Sequence, residues 1–598
     1  MSDTQPSLTG KPATKGGLLD AIEWVGNKLP DPVLLFLFGA VFIMVASQVA
    51  VSVGWEVQPK EAVISIDEAS GEELVTFVDD IDKPPLTATS LLSADGLFWC
   101  VNSMVDNFMA FPPLGVVLVG MLGIGVAERT GLLAAVLKAF MLVVPNRLLT
   151  PTMVFLGIMS SMGVDAGYVV LPPLAAALYK SVGRSPLAGL AAVFAGVSAG
   201  FNANLFVTGL DPMLAEFSQV GARVVDENYA VAATCNWWFM IASTFVITFA
   251  GWLTTAFFVE RRLNRKRAED GGPGALGDAD VDSQRLNADE RRGLAWGGVT
   301  MAGLIVLMVA LTLIPGSPLY DKTVPSLADD GGRMLADSFV GPVDLDAQPD
   351  PSLVVPGEGY YTDATRTVFV TDGGEALQVR SPQFARWVDA VTPLIFLGFI
   401  IPGLVYGVVL GSLRTSKDAA RIMIESMAAM APIIVLAFFA AQFIEYLDHS
   451  QLGRMLAFSG GQVLAEADLS PGMIIIAFIL MTMVFNLFVG SMSAKYAIFA
   501  PIFIPMLMFV GISPELTQAA YRIGDSTTNI ITPLNAYLVI ILVFMQKHAP
   551  RGGMGTLIAM MMPYTVVFTI VWCIMLLIWM QLGFDLGPAG PLSYTPAG

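Results

Sequence analysis

VDAGYVVLPPLAAALYKSVGRSPLAGLAAVFAGVS, residues 164–198, aligns without a gap on MSAKYAIFAPIFIPMLMFVGISPELTQAAYRIGDS, residues 492–526. The stretches share Ala166/Ala494, Tyr168/Tyr496, Pro173/Pro501, Gly183/Gly511, Ser185/Ser513, Pro186/Pro514, Ala191/Ala519, Ala192/Ala520, Gly196/Gly524 and Ser198/Ser526. Each carries an ionisable residue in sequence apolar enough to lie inside a membrane. In membrane proteins an internal repeat of this kind points to transport.

Composition sets the class. Of 598 residues 55% are hydrophobic and 14% charged, too apolar for a water-soluble chain and sufficient for many spans of about 20 residues. Spans are expected at 33–52, 112–129, 187–209, 237–259, 295–315, 390–412, 425–447, 515–545 and 555–582. Two further apolar stretches, 151–181 and 472–509, are broken by Ser160, Ser161, Gly163 and Asp165, and by Asn486, Gly490, Ser491 and Ser493. They read as re-entrant hairpins, whose irregular backbone is tolerable where it faces protein or a water-filled cavity. The expected fold is thus all-α and polytopic, with nine transmembrane helices and two re-entrant hairpins in an inverted-topology repeat.

The chain divides into an N-terminal segment 1–31, a first repeat 32–259 with an outer loop 53–110, and a linker 260–293. A connecting span 294–315, an acidic outer loop 316–388, a second repeat 389–583 and a tail 584–598 follow. Met1 to Lys28 is polar and precedes a full span, so no signal peptide is expected. Basic residues orient the whole: Lys11, Lys15 and Lys28, Arg129 to Arg147, Arg261 to Arg267, Arg414 to Arg421, and Lys547 with Arg551 all fall on one face. That face should be cytoplasmic, with the N-terminus inside and the C-terminus periplasmic, in a bacterial inner membrane. Lys180 and Arg184 close the first hairpin on this side, whereas Arg454 departs from the pattern. The formal charge of −18 comes largely from the outer loops, with Asp79, Asp80 and Asp82 in one and Asp329, Asp330, Asp344, Asp346 and Asp350 in the other. It reflects solvation, not a nucleic-acid partner. Some β character is expected in 357–379. Three cysteines and two histidines make a disulfide scaffold, zinc or haem site improbable, and Cys100 and Cys235 read as isolated thiols.

After each hairpin comes a span with a soft centre, Gly196 to Asn204 including Ser198 and Asn202, and Gly524 to Asn529 followed by Pro533. Glycine, hydroxyl and amide residues make poor helix interior. An unwound helix there exposes carbonyls and helix ends that can bind an ion or a charged substrate; the alternative is close packing through small residues. Charges in the membrane are expensive, and Asp165, Arg522 and Asp525 need a reason. Arg522 and Asp525 are three apart and can neutralise each other, or Lys495 can partner one of the carboxylates. The functional reading makes Arg522 an anion clamp and Asp165 and Asp525 the groups that load and release protons. Ser526, Thr527, Thr528, Asn529, Asn202 and Asn204 would equally suit sodium.

The segments from Ser161 to Val170, Ser493-Ala-Lys-Tyr496 and Ser513 to Pro533 resemble those of the AbgT family of p-aminobenzoyl-glutamate transporters. The resemblance implies a homodimer with a cytoplasm-facing basin, driven by an ion gradient without other cofactors. The cargo would be p-aminobenzoyl-glutamate, or small aromatic carboxylates such as p-aminobenzoate and sulfonamide antimetabolites exported against protons. Family functional residues fall on Asp165, Asn486, Ser493, Tyr496, Pro514, Arg522 and Asp525; Tyr496 replaces a tryptophan, and Val164 and Asn202 replace serines. Arg522 would hold the substrate carboxylate and Tyr496 with Asn486 its ring or amine. The competing readings are a sodium-coupled dicarboxylate importer and, more remotely, an intramembrane aspartyl protease. The repeat and the arginine beside Asp525 argue against the protease.

Overall fold

The computed structural model describes residues 32–66, 73–79, 83–163, 166–273, 286–314, 317–320, 360–363, 366–370, 376–378, 385–467, 469–532 and 535–594. Val164, Asp165 and Pro533, and most of the 316–388 loop, lie outside them.

The first half begins with α1 (Pro32–Val53), then strands β1 (Glu56–Val57), β2 (Lys60–Ile66), β3 (Glu73–Asp79) and β4 (Leu86–Thr87). Short helices α2 (Ala94–Asn102) and α3 (Met104–Met109) follow, then α4 (Pro112–Arg129) and α5 (Leu132–Val143), bent by 66° at their junction. The first hairpin is α6 (Leu149–Met159), a 3-10 turn over Ser160–Gly163, and α7 (Ala166–Ser181). Next come α8 (Pro186–Phe194) with a π turn over Ala195–Ala199, an irregular stretch, α9 (Leu210–Ala222), α10 (Trp237–Leu263) and α11 (Ala288–Leu313). Strands β5 (Tyr360–Asp363), β6 (Arg366–Val370) and β7 (Ala376–Gln378) form an antiparallel sheet, the β character expected of this loop. The second half runs α12 (Ala385–Asp389), α13 (Val391–Leu410), α14 (Ser416–Ala429), α15 (Ala431–His449) and α16 (Leu452–Glu466). The second hairpin is α17 (Pro471–Asn486) and α18 (Met492–Met508), followed by α19 (Pro514–Thr528), α20 (Ala536–Gln546) and α21 (Met554–Leu582).

Among the described residues, six helices are singly long and apolar enough to cross a bilayer, or seven with the bent α4–α5 pair. Only 6% of the apolar window of α11 is buried in the protein; an apolar helix so uncovered needs an apolar solvent. The hairpin arms α17 and α18 have 16 and 17 residues, about 25 Å at 1.5 Å per residue, short of a full span.

The repeat is visible in the backbone. Gly183 and Gly511 turn the chain out of each hairpin at φ +74° and +77°, a region that costs other residues about 1–2 kcal/mol. Ser185 and Ser513 then stand at the N-caps, and Pro186 and Pro514 open α8 and α19, where proline loses no hydrogen bond. Both halves next carry a short helix, an irregular stretch and a second short helix: α8, 200–209 and α9 in the first, α19, 529–532 and α20 in the second.

Three expectations need correction. The span 187–209 is only half of a broken one, because Leu210–Ala222 is helical too. The 425–447 span starts at Ala431; Ser416–Ala429 is a separate helix, opened by a capping box between Thr415 and Asp418. Finally, Gly524–Thr528 is regular helix and the chain unwinds only from Asn529. A Cβ at Gly524 would lie 2.7 Å from the Ile479 carbonyl, so this glycine serves close packing of α19 on α17. Gly196 does the same against α6, a Cβ there falling 2.2 Å from the Val154 carbonyl.

Contacts between loops separate two ends of the molecule. At one, Phe239 N donates to Leu586 O, Ser513 N to Leu592 O and Tyr594 N to Gly511 O, knitting the C-terminal segment over both halves. At the other, Arg184 pairs with Glu260 at 2.7 Å and Arg129 with Glu425 at 3.4 Å. Arg454, the exception in charge pattern, pairs with Glu227 at 3.0 Å. All three cysteines are free.

Candidate functional site

The polar side of α19 faces the interior, and every residue from Pro514 to Thr528 is buried. Buried charge is tolerated only when paired and hydrogen-bonded. Two ion pairs do this, and neither joins Arg522 to Asp525. Lys495 Nζ, from the start of α18, lies 2.7 Å from Asp525 Oδ1, and both side chains are about 1% exposed. Arg522 Nη2 lies 2.6 Å from Asp211 Oδ1, on the first turn of α9. The mutual neutralisation read from their spacing is therefore wrong, because each has a cross-element partner; the alternative of a Lys495 partner holds.

The Lys495–Asp525 pair ties the second hairpin to both broken spans. Lys495 also donates to Asn486 Oδ1 at the end of α17. Asn486 Nδ2 donates to the Asp525 carbonyl (2.5 Å), Thr528 Oγ1 (2.8 Å) and Asn529 Oδ1 (2.8 Å). From the first half, Asn202 Nδ2 reaches Ser526 Oγ at 2.7 Å, the Arg522 carbonyl at 3.1 Å and Asp525 Oδ2 at 3.3 Å. Asn204 Nδ2 donates to Ser161 Oγ at 2.7 Å, linking this stretch to the first hairpin. Asn202 Oδ1, Asn204 Oδ1 and Thr527 Oγ1 are buried without a partner among the described residues.

The Arg522–Asp211 pair has its own shell. Asp211 Oδ2 accepts from Thr208 N (2.5 Å) and Thr208 Oγ1 (2.8 Å). Oriented so that its nitrogen donates to Ser218 Oγ (2.7 Å) and the Leu214 carbonyl (3.3 Å), the Gln518 amide accepts from Arg522 Nη2 at 3.1 Å. Ser218 Oγ is in turn 2.6 Å from Tyr496 Oη. The Tyr496 ring is fully buried and sits 4.3 Å from that of Tyr521.

Beside Lys495 an apolar cavity of about 350 Å³ is lined by Phe485, Phe488, Val489, Ile498 and Phe499. Lysine is its one cation among the described residues.

Of the residues singled out from sequence, Asn486, Asp525, Asn202, Ser526, Thr528 and Asn529 meet in one network, and Arg522 and Tyr496 in the adjoining one. Ser493 only approaches Ser491 (3.4 Å) at the hairpin tip. Pro514 opens α19 two turns before Arg522, about 12 Å along the axis. Asp165 lies outside the described residues. No group of three histidine, cysteine or acidic residues suited to a metal occurs among those described. Sequence reasoning missed Asp211, Thr208, Ser218 and Gln518. Asp211 falls in 210–236, between two expected spans; a second short helix after the break, in the place that Ala536–Gln546 takes in the other half, is the signal that would find it.

The chain matches the AbgT transporter family over residues 17–331 and 368–594. It is 30% identical over 573 residues to the p-aminobenzoyl-glutamate transport protein of Escherichia coli K12, covering 96% of each chain. Its fold is similar to that of the YdaH transporter of Alcanivorax borkumensis, a structure noted for an unusual topology (TM-score 0.73, 36% identity, 94% of this chain and 100% of that one). It is also similar to MtrF of Neisseria gonorrhoeae, described as illuminating a class of antimetabolite efflux pumps (TM-score 0.76, 35% identity, 96% and 100%). With broken, ion-paired helices at its centre and this likeness along nearly its whole length, the chain belongs to the AbgT family of membrane transporters.

Proposed function

We propose that this protein is a proton-driven exporter of small aromatic carboxylates of the p-aminobenzoate type, sulfonamide antimetabolites included, with p-aminobenzoyl-glutamate as a further cargo. The observation that carries the reading is the pair of buried ion pairs, Arg522–Asp211 and Lys495–Asp525, held where two broken spans meet the second hairpin. Each cation is occupied by a protein carboxylate that a substrate carboxylate can replace. A change in the protonation of Asp211 or Asp525 makes or breaks the internal pair and so changes the hold of Arg522 or Lys495 on the substrate. The ion pairs thereby couple proton to substrate. The apolar cavity beside Lys495, walled by three phenylalanines, suits an aromatic ring.

The six long helices, the bent pair and the two broken spans would together make nine crossings, with both hairpins re-entrant. We place the protein in the bacterial inner membrane, N-terminus cytoplasmic and C-terminus periplasmic, as a homodimer. Asp525 is held by a lysine instead of a second carboxylate, the opposite of a proteolytic dyad.

One observation favours sodium as an alternative coupling ion: on the two broken spans, the buried oxygens of Asn202, Asn204 and Thr527 have no hydrogen-bond partner among the described residues. Accumulation of labelled p-aminobenzoate in cells expressing wild type or Asp525→Ala separates the readings. Proton-driven export predicts lower accumulation in wild type, abolished by the substitution or a proton uncoupler. Raised, sodium-dependent accumulation would overturn export in favour of import.

A further inference from the structure

At the end of the molecule that carries the Arg184–Glu260 pair, three loops enclose a cavity of about 620 Å³. Lys180 from the end of α7 and Lys547 with Arg551 from the α20–α21 turn contribute cations, and His548 adds a fourth nitrogen base. Among the described residues the acids on its wall are Glu269 and Asp270 of the linker, and Glu269 is engaged by Arg267 at 3.5 Å. The cavity is a fixed part of the fold. Ser185 Oγ donates to the Gly271 carbonyl at 2.5 Å, pinning the linker to the start of α8. Gly271 takes φ +86°, and a Cβ there would fall 2.1 Å from Leu187 Cδ1. A Cβ at Gly272 would fall 2.1 Å from the Lys266 carbonyl.

Next to Pro186 on the cavity wall, Leu187 begins an apolar groove between the π-wound end of α10 and α21. Phe258, Val259, Met560 and Pro563 line it, with Arg262 and Lys266 along its edge. Phe258 is 57% exposed, so the groove opens outward toward the lipid side of the helices. Arg262 Nη1 donates to the Ala559 carbonyl at 3.2 Å, holding the two walls together.

We propose that cavity and groove form one binding site for an anionic phospholipid, the phosphodiester headgroup among Lys180, Lys547 and Arg551 and an acyl chain along Phe258, Ala559 and Pro563. The charges are complementary to a phosphate and lie where basic pockets between transmembrane helices take acidic headgroups. The adjoining groove distinguishes a lipid from a soluble anion, which would have no use for it. Because the walls come from both repeats, the lipid bridges the first hairpin and linker to the last two helices. This inference is independent of the cargo and of the coupling ion.

The test uses the purified full-length protein in micelles, titrated with dioleoylphosphatidylglycerol and read by native mass spectrometry and by the thermal midpoint. Removing two headgroup cations in the double variant Lys547→Gln/Arg551→Gln should raise the half-saturating lipid concentration about 30-fold. The control pair Arg414→Gln/Lys417→Gln, basic residues outside the cavity, should change it less than about twofold. Phe258→Ala, an exposed position, should weaken lipid binding and leave the midpoint of the lipid-free protein unchanged. Three results would overturn the proposal: equal lipid binding by the double variant, equal binding of dioleoylphosphatidylcholine, or inorganic phosphate displacing the lipid at comparable concentration, which would make this a soluble-anion site.

Discussion

Replacing Asp525 with asparagine removes one member of an ion pair 2.7 Å long whose side chains are both about 1% exposed. Water cannot screen what remains, so Lys495 is left with Asn486 as its polar contact in the pair's place. Stranding one charge of a buried pair costs about 3–5 kcal/mol. Lys495→Met alone should cost a similar amount, because it strands the carboxylate instead. In the double variant Lys495→Met/Asp525→Asn both charges are gone, and stability should return to within about 1–2 kcal/mol of wild type. The cycle therefore predicts a coupling energy of at least about 4 kcal/mol. Unfolding in mixed micelles, followed by tryptophan fluorescence on the wild type, both singles and the double, measures it. Additive losses within about 0.5 kcal/mol would refute the pair as drawn and return Asp525 to some other partner.

Other perturbations probe neighbouring elements. Arg522→Lys keeps the charge but loses the planar fork toward Asp211 and Gln518, so transport should fall about 10- to 100-fold while the protein stays folded, as an uptake assay with a thermal scan can show. Tyr496→Phe deletes only the bond to Ser218 Oγ and should cost about 1 kcal/mol, whereas Tyr496→Trp overfills a fully buried site and should cost about 1–3 kcal/mol, both read from unfolding. Gly524→Ala drives a Cβ to 2.7 Å from the Ile479 carbonyl while Gly553→Ala meets nothing within 4 Å; the first should lose about 1–3 kcal/mol and the second almost none. Asp418, at the α14 cap, is held below its ordinary value of 3.8 by the Thr415 hydroxyl and the Arg414 and Thr415 amides. Its contribution should be complete above that value and vanish as pH falls through the lowered one, and Asp418→Asn should flatten this acid limb in a pH series of thermal scans.

Repeats with matched glycine, serine and proline positions can be read from sequence because their backbone demands are local. Gly183 and Gly511 need positive φ, and Pro186 and Pro514 fit only the first helical turn. The hairpins were legible for a similar reason: their polar breaks interrupt otherwise apolar runs. What escaped was set by tertiary contact. Helix α9 is amphipathic and carries Asp211, so hydropathy treats it as a surface connection; only the approach of Arg522 from the other repeat makes its burial intelligible. The partner of Asp525 was likewise undecidable from spacing, since Arg522 stands one helical turn away while Lys495 arrives from a separate hairpin. The glycine at 524 shows the limit of reading composition as function. Its neighbours suggest an unwound site, yet the helix persists to Thr528 because the glycine admits the α17 backbone and the Thr528 hydroxyl folds back on the Gly524 carbonyl at 3.3 Å.

On the proposed mechanism, substrate and coupling ion meet at the Arg522 and Asp525 ion pairs. Proteoliposomes holding wild type, Arg522→Lys or Asp525→Asn, loaded with labelled p-aminobenzoate and given either a pH or a sodium gradient, test it directly. Wild type should move the label against an imposed proton gradient, Asp525→Asn should exchange label at equilibrium without responding to that gradient, and Arg522→Lys should bind it weakly. Gradient-driven flux by Asp525→Asn equal to that of wild type would contradict the mechanism.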